Sequence, residues 1–330
     1  MSLTRPTHER GPKGLPRLIW RCVLFALLNA VLAVVVLKVH ESTLDYVRWE
    51  TDSNLLIMPK SEHRDVVILG TSHAYVCARF KEHQEATERE LDRTVLNMAI
   101  AQGGGIKPAR FYLETYFDQE NTATHVVYLL DPFVFFTAGS NEKHRFVYME
   151  PFRFHFLAKM IRNGYNYQQI VTYIRSKFRG QWLFQKPDVL IHHVRGYPPA
   201  LVTPERIAER MGTLYPDGLH DEVFQRYQAE FLKIVALCQA RGAQLNVAVP
   251  PTMLGPETGH AAMMAWLETL EARGDISLDD WSNAIQSPER YYNLDHLNLS
   301  GIEEFIGQYL RPMLDAEDRK VLGADGERSR

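Results

Sequence analysis

Asp65-Val66-Val67-Ile68-Leu69-Gly70-Thr71-Ser72-His73 is an apolar run of mostly β-branched residues that stops at a glycine and then presents a serine. Val66 to Leu69 are apolar without alternation, the pattern of a strand covered on both faces in a parallel sheet. Gly70 permits a sharp turn, and Ala74 to Leu91, rich in Ala, Glu and Arg, predicts a helix. Strand, turn and helix together place Ser72 at the carboxyl end of a central strand. Open α/β sheets bind ligands there, with the free N–H groups of the helix facing the ligand.

Working outward, Thr94 to Met98, His125 to Leu130 and Gln244 to Val249 are further strand candidates. The last is ended by Pro250-Pro251, which cannot continue inside a sheet. Helical segments at Lys107 to Phe117 and His220 to Arg241 complete an alternating βα order. The expected fold class is α/β, a three-layer α/β/α domain with a central, mostly parallel sheet over residues 63–314.

A serine hydroxyl is a weak nucleophile until an imidazole takes its proton. The candidate imidazole is His296, in Tyr291-Tyr-Asn293-Leu-Asp295-His296-Leu-Asn-Leu-Ser300-Gly301. It precedes a helix whose start is marked by the capping-box pair Ser300 and Glu303. His73, next to Ser72, reads as a turn or first-turn residue rather than the base, because adjacent side chains on a helix do not face each other.

These blocks resemble the SGNH (GDSL-like) hydrolase superfamily, and within it the membrane-anchored branch that includes the D-alanine transfer protein of teichoic acids and the alginate O-acetylation proteins. Gly70-Thr71-Ser72 looks like the family's Gly-Asp-Ser or Gly-Ser-Ser block. Asn97-Met-Ala-Ile-Ala-Gln-Gly103-Gly104 looks like its glycine block, and His296-Leu-Asn-Leu-Ser-Gly301 like its terminal histidine block. The resemblance implies a serine esterase or O-acyltransferase acting on an envelope glycan. Ser72 would attack, His296 would carry the proton, and the backbone N–H groups of Ser72 and of Gly103 or Gly104 would hold the oxyanion. It also implies an envelope polysaccharide or other acylated glycan as partner, beside a multispan membrane acyltransferase. A catalytically degenerate relative that binds glycan or partners without turnover is the alternative.

The chain departs from the family pattern twice. The family's aspartate three residues before the histidine is Asn293 here, and the nearest carboxylate is Asp295. Asn293 can accept the Nδ1 hydrogen but offers no charge to an imidazolium. Either Asp295 has taken over, which needs a turn because neighbours in an extended chain point to opposite sides, or the serine is slow; of the two, Asp295 is expected to matter less than Asn293. The family's oxyanion asparagine is replaced by Asp131, in Leu129-Leu130-Asp131-Pro132. An aspartate there would repel the oxyanion, so Asp131, like His73, is expected to support the site from behind.

Leu18 to Leu37 is apolar except for Arg21 and Asn29. About 20 residues at roughly 1.5 Å each match a bilayer core of about 30 Å. Arg5, Arg10, Lys13, Arg17 and Arg21 precede or open the segment. The expectation is a cytoplasmic tail (1–17), a single-pass inner-membrane anchor (18–37), a connector (38–62) and a periplasmic or extracytoplasmic domain. The anchor would supply the lipid contact. No small-x-small pattern follows at Leu37-Lys38-Val39-His40-Glu41, which argues against cleavage. Residues 315–330 read as a polar tail.

The segment at about 133–219 is an insertion that a small hydrolase would not need; from Lys143 to Lys186 it holds nine Lys or Arg against one Glu, interleaved with aromatics. It reads either as a lid or docking surface for sugars, anionic polymer or lipid headgroups, or as a helical subdomain whose aromatics form its own core. The second reading is favoured for most individual residues. A net charge of −3 argues against a general nucleic-acid binder. Cys22, Cys77 and Cys238 imply no disulfide framework, the 13 histidines show no metal-ligand spacing, and no cofactor is called for.

Overall fold

Five parallel strands in the order β2-β1-β3-β4-β5 form the sheet. They are β1 (His63–Gly70), β2 (Val95–Asn97), β3 (Thr122–Leu129), β4 (Gln244–Val249) and β5 (Ser277–Asp280). The computed structural model describes residues 15–43, 46–47, 49–78, 80–101, 104–142, 147–177, 196–255 and 257–328. The chain divides into two units, Met1–Asp45 and Tyr46–Arg330.

In the first unit, helix α1 (Leu15–Thr43) contains a stretch, Pro16–Val36, of mean hydropathy 2.4 that is long and apolar enough to cross a membrane. Its one amide side chain, Asn29, donates to the Phe25 carbonyl at 2.7 Å, so the polar group is met inside its own helix.

In the second unit, Val66 to Leu69 of β1 and Val126 to Leu129 of β3 are fully buried, which is why neither strand alternates. Helices α2 (Lys81–Leu91), α3 (Ile106–Asp118), α4 (Phe154–Arg162), α5 (Tyr167–Lys177), α6 (Pro204–Leu214), α7 (Asp221–Arg241) and α8 (His260–Glu271) are followed by α9 (Leu299–Phe305) and α10 (Arg311–Arg328). Helix α3 packs on α7 and α2 on α9. The result is the expected three-layer α/β/α fold.

The structure corrects several details. The helix expected over 74–91 is broken into Ser72–Tyr75, a 3-10 turn at Val76–Ala78, and α2. Strand β5 was not expected; its Ser-Leu-Asp-Asp is short and polar because it forms the sheet edge. The last domain helix is capped by Asn298, not Ser300: Asn298 Oδ1 accepts from the Gly301 N–H at 3.0 Å and from the Ser300 hydroxyl at 2.9 Å. The expected tail is helical to Arg328, and its start is docked: Arg93 reaches Asp315 (2.6 Å) and Asp318 (2.8 Å), and His125 meets Asp318 at 2.9 Å.

Within the insertion, Phe156 packs edge-on against Phe111 of α3 at 4.8 Å and against Tyr173 at 5.2 Å, and all three are fully buried. Lys159 pairs with Asp118 at 2.7 Å, and Lys177 turns inward to the Val147 carbonyl at 2.8 Å. For these residues the subdomain-core reading holds. Residues 143–146 and 178–195 of the insertion lie outside the described residues. Cys77 and Cys238 are buried free thiols.

Candidate active site

The strand register decides where the candidate residues emerge. Gly70, the last residue of β1, pairs with Leu129, the last of β3, so Thr71-Ser72-His73 and Asp131 leave the sheet side by side. With β2 and β3 on opposite sides of β1, this is the point at which the strand order reverses, where doubly wound sheets open a crevice. Gly70 is forced: its φ is +144°, and a Cβ would lie 2.5 Å from the Leu129 carbonyl oxygen. Gly104 is also forced. A Cβ on it would meet the Ile100 carbonyl at 2.3 Å and the Gly70 carbonyl at 2.9 Å, so the glycine block packs directly on the serine block. Gly103 lies outside the described residues.

Ser72 begins a short helix and is partly exposed. Its Oγ forms no hydrogen bond to any described residue. Its neighbour His73 is buried, and the His73 ring lies 4.8 Å from the ring of His296. The serine block and the histidine block, more than 200 residues apart in sequence, are thus brought to one place.

The loop before His296 is closed by a bridge between Tyr291 and Leu297. Asn293 Oδ1 accepts the backbone N–H of Asp295 at 3.1 Å and of His296 at 2.8 Å, and lies 3.0 Å from His296 Nδ1. That turn overturns the expectation for Asp295. The chain is not extended here, and Asp295 Oδ1 lies 2.8 Å from the same Nδ1. Both oxygens only accept, so Nδ1 carries the hydrogen and the neutral ring keeps its Nε2 lone pair free.

Asp295 is buried and shared. Arg210 of α6 donates to its Oδ2 from Nε at 2.6 Å and approaches with Nη2 at 2.5 Å. His73 Nε2 stands 3.6 Å from the same oxygen, too far for a hydrogen bond. On its other side His73 Nδ1 donates to Asp131 Oδ1, and the Thr71 hydroxyl donates to Asp131 Oδ2. Asp131 therefore faces His73 and Thr71.

Charges follow from these contacts. Burial disfavours an imidazolium at His73, but Asp131 and Asp295 outweigh it and raise the pKa well above the usual value. Burial lowers His296 below its usual 6.5; Asp295 opposes this, and the cations His73 and Arg210 reinforce it. Burial would raise Asp295, but His296 and His73 hold its carboxyl well below the usual range. The row reads Asp131 anion, His73 cation, Asp295 anion, Arg210 cation, with a neutral His296 beside it.

Two residues here carried no signal in the sequence. Arg210 sits in an insertion helix with no motif. Glu257 lines a small cavity with Asp131 and accepts from the Tyr215 hydroxyl at 3.1 Å; burial, and then Asp131, push its carboxyl up to about 7. His73, Asp295 and His296 also offer three ligand atoms within 4.8 Å of one another. The Arg210 guanidinium binds one of the two Asp295 oxygens, Oδ2.

No protein-family model matches the chain, and no curated protein does. Among solved structures, the chain is similar to a candidate acylhydrolase from Bacteroides fragilis, at 10% identity over 79% of this chain and 92% of that one, with a TM-score of 0.40.

Proposed function

We propose that this chain is a membrane-anchored, extracytoplasmic serine esterase or O-acyltransferase of SGNH type that acts on an envelope glycan through Ser72 and His296. One observation carries the reading: His296 is held by Asn293 and Asp295 in the tautomer that leaves Nε2 able to take a proton, and its ring lies 4.8 Å from the ring of His73, the residue that follows Ser72.

In this reading Ser72 Oγ attacks the acyl carbonyl as His296 Nε2 takes its proton. The oxyanion meets the N–H groups of Ser72 and Gly104, with Gly103 as the further candidate donor. Collapse expels the donor alcohol, which receives the proton from His296 and leaves an acyl-serine. Water or a sugar hydroxyl then attacks that ester, with His296 again as base, giving hydrolysis or transfer. Asp295 positions the imidazole, Arg210 and His73 position Asp295, and Asp131 holds His73. The cationic run before the apolar helix supports a cytoplasmic N-terminus, and a multispan acyltransferase would supply the acyl group.

The test uses the full chain in detergent with a chromogenic acetyl ester and a serine-directed fluorophosphonate. Turnover and labelling that vanish in Ser72→Ala and His296→Gln are expected. A folded wild-type protein that neither turns over nor labels would overturn the enzyme reading and leave glycan or partner binding without turnover.

A further inference from the structure

The outer surface of the insertion carries a pattern the active site does not use. Helix α4 buries Phe156 and Met160, yet Phe154, Ala158 and Ile161 stand exposed at i, i+4 and i+7, a single stripe along the helix. Phe154 is 80% exposed and Ile161 58%. Helix α5 packs against α4 and repeats the device: Tyr167 is 80% exposed and Ile174, seven residues on, 36%.

The exposed charges that α4 and α5 themselves carry have one sign; Asp118 of α3, beside them, is paired with Lys159. Arg162 and Arg175 are exposed and form no ion pair among the described residues. The one carboxylate between residues 147 and 177, Glu150, is fully buried; it takes hydrogen bonds from the Ser53 hydroxyl at 2.5 Å and from the Asn54 and Leu55 amides at 3.0 Å each. Aromatic, aliphatic and arginine side chains on two helices that carry no carboxylate of their own are the composition of a helix surface lying in a lipid interface. A water-facing helix intersperses acids among its bases.

Chain connectivity favours lipid over a protein partner. Ser53 follows Thr43, the last residue of the apolar helix, by 10 residues, a length of chain that spans at most about 35 Å. Ser53 is also bonded to Glu150, four residues ahead of Phe154. An anchored chain holds this surface at high effective concentration near the bilayer, so a small apolar patch suffices.

We infer that the exposed face of α4 and α5 is a lipid-contacting surface. Phe154, Ile161 and Tyr167 enter the headgroup region of an anionic bilayer, and Arg162 and Arg175 meet its charged headgroups. The inference rests on the membrane-anchored reading above.

The test takes the full chain with Cys22→Ser, which leaves the buried Cys77 and Cys238 as the native thiols. An environment-sensitive nitrobenzoxadiazole label is placed at Phe154→Cys or Ile161→Cys, and for comparison at Leu232→Cys, a 41% exposed position on α7. The proteins are reconstituted in phosphatidylcholine vesicles with about one third phosphatidylglycerol, first with plain lipid and then with lipid spin-labelled near the headgroup. Flotation with the vesicles is expected, with at least about twofold quenching of the labels at 154 and 161 and none at 232. Quenching that weakens in Arg162→Glu with Arg175→Glu supports the role of the two arginines. Protein that floats while its labels at 154 and 161 behave like that at 232 overturns this surface and leaves the anchor standing. Protein that does not float overturns both.

Discussion

At the scale of single residues, the contacts of His296 reverse an ordering the sequence suggested. Asn293 holds the family position, and its oxygen already serves two backbone amides of the turn. Asp295, one residue away, brings the charge. Asp295→Asn is therefore expected to lower kcat/KM for an acetyl ester by about three orders of magnitude or more. Asn293→Asp, which keeps both amide contacts, should change it by less than about tenfold. An Asp295→Asn enzyme close to wild type would remove Asp295 from the mechanism. The base also predicts a pH profile. In the proposed mechanism His296 acts when neutral, so activity is expected to fall as pH drops through its pKa, which lies below 6.5. Arg210→Gln removes a cation that lowers this pKa, and the acid limb of kcat/KM should move to higher pH. An unmoved limb would exclude that coupling. Ser72 and His296 were legible because each sits in a local pattern of strand, glycine and cap. Arg210 and Glu257 were not, because no sequence spacing ties residue 210 to 295 or 257 to 131; only the fold does.

At the scale of elements, the strand and turn around Gly70 leave no room for a side chain. Gly70→Ala would drive a Cβ into the Leu129 carbonyl at a φ that alanine resists. A loss of about 2–4 kcal/mol is expected, read by denaturant unfolding; an alanine variant of unchanged stability would show that the turn relaxes freely. Strands β1 and β3 could be read from sequence because burial on both faces writes itself as an unbroken apolar run, and β4 because its apolar end runs into Pro250-Pro251. Strand β5 could not, since an edge strand of four residues has neither an apolar run nor alternation. The start of α9 was displaced for a related reason: Ser300 and Asn298 are both good caps, and only the backbone turn selects Asn298.

At the scale of the whole molecule, the three-layer architecture follows from alternating βα segments, whereas the exposed apolar stripe of the insertion needed the side chains to be seen. Topology remains a matter of charge placement. A reporter active only outside the cytoplasm, fused after Arg330, should be active, and cytoplasmic activity would overturn the localisation. Stability has its own pH signature. Glu257 titrates near 7 when folded against an ordinary 4.5, so the folded state holds the extra proton between these values and stability falls as pH rises through them. Glu257→Gln should add about 3 kcal/mol above pH 7 and nothing below 4.5, seen as a Tm gain at alkaline pH only.

The guanidinium that steadies Asp295 comes from α6, inside the segment inserted between the third and fourth strands. The inserted segment and the base are thus wired as an interlock. If α6 lifts, Asp295 loses its cation, the His296 imidazolium becomes harder to deprotonate, and the proposed turnover falls on the acid side without any change at Ser72. In the proposed reaction, whatever seats or unseats that helix would set the tempo of turnover from outside the loops that carry Ser72 and His296.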